Sequence, residues 1–196
     1  MASKVSAMKT VVREGGKIVK KMWYEEKPYN LGPNANSFKT GEALYRASCH
    51  CSAVLYEVTA QPLDAKLCHC KACQKLHGAP FEWVCIFQKN NVRFISGIDQ
   101  LYFWSSELGR GFQNAEASER QLPVKVSCTN CRTPIADESR NMWLAYAPLF
   151  DFTGEIPESF KHTCHLFYAA RAMDIPDEKP KWMGHKNKSP MWIVPE

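Results

Sequence analysis

The sequence predicts a mainly β domain built from short antiparallel strands. Brief runs rich in Val, Ile, Phe, Tyr and Trp recur between Gly, Pro, Asn and Asp residues, the pattern of half-buried strands joined by turns. No segment sustains the three-to-four spacing of apolar residues that marks a long amphipathic helix. Seven of the nine cysteines also fall into three tight groups: Cys49 with Cys51, Cys68 with Cys70 and Cys73, and Cys128 with Cys131.

Taken in order, Thr10–Arg13 and Lys17–Tyr24 are β-prone runs around Gly15 and Gly16, which suits a small hairpin. Lys27–Gly41 has Pro28, Gly32, Pro33 and several asparagines, so it reads as a linker closing an N-terminal extension over residues 1–40. Residues 41–175 form the expected domain, with strand candidates at Ala53–Thr59, Phe81–Gln88, Val92–Ser96, Leu101–Ser106, Val124–Cys128, Met142–Ala147 and Cys164–Ala170. Between the first two, Cys70–His77 is expected to form a helical turn, because Gly78 supplies the residue favoured just past a helix end. Residues 176–196 make a tail rich in Pro and Lys, whose composition disfavours regular structure; Trp182 and Trp192 are expected to anchor it.

With 196 residues, 45% of them hydrophobic, the chain can bury one substantial core. No stretch approaches the roughly 20 apolar residues that span a bilayer, and Lys4, Lys9, Arg13 and Glu14 interrupt any signal-like apolar run. These features and the free thiols point to a soluble protein of the reducing cytoplasm. The net charge of +5 is uneven: residues 1–27 hold seven Lys/Arg and three Asp/Glu, whereas residues 28–175 hold fourteen of each. A balanced core lacks the basic face of a nucleic-acid domain.

Clustered thiolates are a metal signature. Sulfur is a soft donor, and loops this short can aim two or three sulfurs at one Zn²⁺. Cysteines one or two residues apart rarely reach relaxed disulfide geometry with each other. Seven sulfurs divide most simply into four and three, one closed ion and one with an open position, which is the pattern of a structural beside a catalytic zinc. Spacing leaves two partitions open. Cys70 and Cys73 can join Cys128 and Cys131, leaving Cys49, Cys51 and Cys68; or Cys68, Cys70 and Cys73 can form the open set while Cys49, Cys51, Cys128 and Cys131 close the other. The second is favoured, since one short loop builds a compact three-sulfur cup.

Cys49-His50-Cys51-Ser52-Ala53-Val54, Cys68-His69-Cys70-Lys71-Ala72-Cys73-Gln74 and Cys128-Thr129-Asn130-Cys131-Arg132-Thr133-Pro134 together resemble the glutathione-dependent formaldehyde-activating family, also named for centromere protein V. His165 resembles that family's histidine before a late strand, whereas Ser52 and Arg132 stand where glycines are common. The resemblance implies an Mss-like β-tent fold. It further implies a structural zinc on Cys49, Cys51, Cys128 and Cys131, and a catalytic zinc on Cys68, Cys70 and Cys73.

Zinc with three thiolates carries a formal charge of −1, so it is a weak activator of water and suits an incoming thiol better. The expected chemistry is a carbon–sulfur lyase or synthase step, joining glutathione or another small thiol to formaldehyde or a similar electrophile. His77, Glu82 and His165 are candidate acids or bases, while His50 and His69 lie between ligand cysteines and are expected to point away from the ion. Phe81, Trp83, Tyr102, Phe103 and Trp104 are candidates for a pocket wall or for core, and Cys85 and Cys164 read as small buried residues. A structural zinc module for protein binding is the main non-enzymatic alternative. A chromatin protein is disfavoured by the balanced charge, and a dithiol redox enzyme by the missing βαβ pattern.

Overall fold

The computed structural model describes residues 11–14, 17–20, 43–113 and 122–193. Strands β1 (Val11–Glu14) and β2 (Lys17–Lys20) pair as the expected antiparallel hairpin. The linker expected over Lys27–Gly41 lies outside the described residues. Of the remaining strands, β3 (Tyr45–Ser48), β4 (Leu55–Val58) and β7 (Val92–Ser96) form a three-stranded sheet in the order β3-β4-β7.

The larger sheet has eight strands, in the order β13-β5-β6-β12-β11-β10-β8-β9. Its members are β5 (Asp64–Cys68), β6 (Glu82–Gln88), β8 (Leu101–Ser105), β9 (Arg110–Gln113), β10 (Val124–Cys128), β11 (Pro134–Glu138), β12 (Met142–Tyr146) and β13 (Cys164–Leu166). All its pairs are antiparallel except β13 with β5. Helix α1 (Lys71–His77) follows β5. Cys70 caps its start, and Gly78 ends it in the left-handed conformation at φ +59°.

Alternation along the strands sorts side chains onto two faces. Facing the small sheet are Phe87, Phe103, Trp143 and Ala145, which meet Tyr56 and Phe94 in one buried cluster with Phe150 and Phe160. Edge-to-face contacts such as Phe94 against Trp143, with ring centroids 5.7 Å apart, hold that core. Lys125, Asp137 and Tyr146 lie on the other face, which α1 covers in part. Core and site therefore occupy opposite sides of the same sheet.

Just after β7, Gly97 packs so closely against the β3–β4 turn that an added Cβ would meet the Ala53 carbonyl oxygen at 2.1 Å, and its φ is +80°. Gly97→Ala is accordingly expected to lower stability by at least about 3 kcal/mol in a denaturant melt. A loss below about 1 kcal/mol would mean that this backbone shifts freely.

Four strands escape the reading from composition. In β11, Pro134, Ala136, Asp137 and Glu138 are all poor strand formers, and neighbours on both sides supply the order. Likewise β5 has only Ala65 and Leu67 to bury, while β3 and β9 are four-residue pieces. The run expected over Cys164–Ala170 stops at Leu166, because Phe167 turns left-handed at φ +55° and a 3-10 turn over Tyr168–Ala170 follows. The tail does pack on the domain. The His165 N–H donates to the Pro180 carbonyl at 2.8 Å, the Trp182 N–H to the His165 carbonyl at 3.0 Å, and Arg171 stacks on the Trp192 ring.

Candidate metal centres

Two hairpin tips from different sheets build the first centre. Cys49 and Cys51 lie in the β3–β4 turn, and Cys128 and Cys131 at the β10–β11 turn. Their four ligand atoms all fall within 4.8 Å of one another. Sulfurs bonded to one tetrahedral zinc at about 2.3 Å should sit about 3.8 Å apart. The Cys49–Cys51 and Cys51–Cys128 separations are 3.5 and 3.9 Å, so the donor set fits that ion.

Both turns present amide donors to sulfur, as in the Val54 N–H to Cys49 Sγ bond of 3.3 Å. Burial pushes the Cys49 thiol up to about 12. Although burial also works against ionisation of Cys131, the Thr133 hydroxyl 3.1 Å away helps to bring it down to about 5. Each turn closes on a residue in left-handed conformation, Ser52 at φ +59° and Arg132 at φ +63°, a conformation that favours glycine. Ser52→Gly and Arg132→Gly are each expected to change stability by no more than about 1 kcal/mol, toward greater stability, in a thermal melt.

The second centre comes from a single stretch. Cys68 ends β5, Cys70 is the N-cap of α1 and Cys73 lies in its first turn. Their sulfurs also lie within 4.8 Å of one another, with Cys73 to Cys68 at 3.6 Å. Among the described residues no fourth Cys, His, Asp or Glu joins the group. Cys70 Sγ accepts from the Cys73 N–H at 3.4 Å, so one sulfur both caps the helix and faces the cup. A hydrogen bond from Cys73 brings Cys68 down to about 7, and the same contact, with burial, holds the proton on Cys73. The geometry thus groups the cysteines as four and three, and the alternative joining Cys70 and Cys73 to Cys128 and Cys131 is ruled out for this fold.

A polar cluster from four strands and α1 surrounds this cup. Lys125 Nζ of β10 lies 3.9 Å from Cys73 Sγ and 3.4 Å from Glu82 Oε2, and it also bonds Asp137 of β11. Tyr146 of β12 donates to Asp137 Oδ1 at 2.6 Å. His77 Nε2 stands 3.8 Å from Glu82 Oε2. Burial, then the Glu82 charge, raises the Asp137 carboxyl to about 6 against the pull of Lys125. Burial and the nearby negative charges likewise raise the Tyr146 phenol. Displaced groups of this kind gathered beside a three-sulfur set make this the candidate reactive site.

Of the acid–base candidates, Glu82 and His77 belong to this cluster, whereas His165 does not. It is fully buried and bonds His69 Nε2 through Nδ1 at 2.9 Å. His69 is itself fully buried, pointing away from the cup, and His50 is exposed, so neither joins a cysteine group. Phe103 is core; the Trp83 indole donates to the Phe160 carbonyl at 2.9 Å. Trp104 pairs across strands with Lys125 and therefore shares its face. Cys85 and Cys164 are buried and stand outside both groups. Lys125, Asp137 and Tyr146 were missed, because outward charges in short strands read as solvated positions.

A mainly β domain with one group of four and one group of three cysteines, each able to hold a metal ion, defines the class. The particular family follows from comparison: a model described as glutathione-dependent formaldehyde-activating enzyme matches residues 44–170, and the chain belongs to that family. Comparison with curated proteins finds no match. Among solved structures, the crystal structure of a Rhodobacter sphaeroides protein from a structural-genomics programme is similar at 16% identity. That alignment covers 56% of this chain and 90% of the other, with a TM-score of 0.42. No helix among the described residues is long and apolar enough to cross a membrane.

Proposed function

We propose that this protein is a zinc-dependent carbon–sulfur lyase or synthase that joins a small thiol such as glutathione to formaldehyde or a similar carbonyl compound, and runs the step in reverse. The observation that carries this reading is the three-sulfur cup of Cys68, Cys70 and Cys73, which lacks a fourth protein ligand among the described residues and sits beside Lys125. Family membership supports the same class of reaction. Zinc held there would supply a coordination position that a thiol takes as its thiolate, because a soft ion favours sulfur and displaces its proton. The four-cysteine centre would hold a second, structural zinc.

The rest of the chemistry falls to the chain. In the forward step a carbon–sulfur bond forms while the carbonyl π pair moves to oxygen, which takes up one proton to give a hydroxymethyl thioether. Charge grows on that oxygen, and the Lys125 ammonium, clamped between Glu82 and Asp137 and 3.9 Å from Cys73 Sγ, is placed to donate to it. Tyr146 restrains Asp137, and Asp137 in turn aims Lys125. Water would be a poor competitor, since Cys68, Cys70 and Cys73 as thiolates would leave a bound zinc a weak acid toward it.

Exchange between free formaldehyde and its glutathione adduct, followed by nuclear magnetic resonance, tests the reading. Acceleration above the spontaneous rate supports it, and its absence at full zinc loading removes the formaldehyde version. Lys125→Met is expected to slow the exchange about 10²- to 10³-fold while leaving both cysteine centres loaded with zinc. An unchanged rate would remove Lys125 from the chemistry.

A further inference from the structure

A third group of metal-ligand side chains, sharing no residue with either cysteine centre, lies where β13 meets the C-terminal tail. His162 Nε2 and His165 Nε2 both point at the carboxylate of Asp177. Asp177 Oδ2 lies 2.7 Å from the first nitrogen and 3.0 Å from the second. These ligand atoms fall within 4.8 Å of one another. Donors on one tetrahedral Zn²⁺ with bonds near 2.05 Å are about 3.3 Å apart, so these hydrogen-bonded contacts need to widen by only roughly half an ångström to share one ion.

We propose that His162, His165 and Asp177 form a separate site for a borderline divalent cation such as Zn²⁺, with water completing its coordination. Three observations support it. Two imidazoles and one carboxylate are the donor set that such ions prefer. His165 is fully buried and its other nitrogen, Nδ1, is paired with His69 Nε2 at 2.9 Å. An ion taken up at Nε2 would leave the ring proton on Nδ1, toward His69, the second-shell arrangement typical of ligating histidines. His162 and Asp177 each keep a quarter of their side-chain surface, so water and a metal ion have access.

Lys181 is the competing cation. Its ammonium lies 2.8 Å from Asp177 Oδ1 and compensates the carboxylate on that side, while Oδ2 faces both imidazoles. An ion on Oδ2 leaves the Lys181 contact in place and feels its repulsion. The site is therefore weaker than the cysteine centres, and removing Lys181 strengthens it.

Zinc analysis of the untagged full-length protein, saturated with Zn²⁺ and then desalted, tests the proposal independently of any activity. Three ions per chain are expected for the wild type, and two for both His162→Ala and Asp177→Asn. In the cobalt-loaded protein both variants keep the thiolate-to-metal charge-transfer bands of the cysteine centres, which also reports that they fold. Lys181→Met retains three ions and holds the third about tenfold more tightly. Two ions in the wild type, a third ion that both variants retain, or no gain in Lys181→Met would each overturn the site.

Discussion

Cys49→Ser and Cys128→Ser are each expected to remove one zinc ion and unfold the domain. The four-cysteine centre joins the tip of β3–β4 in one sheet to the tip of β10–β11 in the other, and few other groups tie those tips together. One is the His50 N–H, which donates to Thr133 Oγ1 at 3.2 Å. Structural zinc contributes an apparent binding free energy of about 10–16 kcal/mol, comparable with or larger than the 5–15 kcal/mol that separates a typical folded domain from its unfolded chain. Serine oxygen is a harder donor that stays protonated near neutral pH, so it does not replace the thiolate. Zinc analysis with a thermal melt followed by circular dichroism reads the outcome. A serine variant that melts within a few degrees of the parent would show that this centre does not hold the sheets.

The opposite separation is expected at the cup. Cys70→Ser should lose one zinc ion and drop the thiol–formaldehyde exchange by about 10³-fold or more, to near the spontaneous rate, while the melting temperature moves by only a few degrees. All three cup sulfurs come from residues 68–73, so this centre ties a strand end to a helix start and does not bridge sheets. Serine also preserves the capping contact that Cys70 Sγ now makes with the Cys73 N–H, since it is a favoured N-cap residue. Full exchange activity in Cys70→Ser would remove the cup from the reaction. Unfolding of the variant would assign the cup a structural task instead.

How much of this was legible depends on how local each feature is. Cysteines that ligate from one turn leave their spacing in the chain, so all seven ligand candidates stand out. Helix α1 is legible for a related reason, because its cap at Cys70 and its left-handed end at Gly78 are single-residue requirements. The strands Val92–Ser96 and Val124–Cys128 carry enough β-branched and aromatic residues to declare themselves. Pro134–Glu138 does not, since its order comes from β10 and β12 on either side.

Pairing between distant segments is where composition falls silent. Cys51 and Cys128 are 77 positions apart yet 3.9 Å from one another, and strand order alone brings them together. Lys125 meets Cys73 from 52 positions away because α1 lies on the outer face of the sheet that holds β10. His162, His165 and Asp177 converge only because the tail folds back along β13. The sequence by itself determined the number and kind of soft ligands, the β character and the capped helix, all of which rest on bonding preferences within a few residues. Only the tertiary structure decided which ligands share an ion, which charges surround the open one and which histidines face a common carboxylate, because those contacts depend on sheet topology and on the closing of long loops.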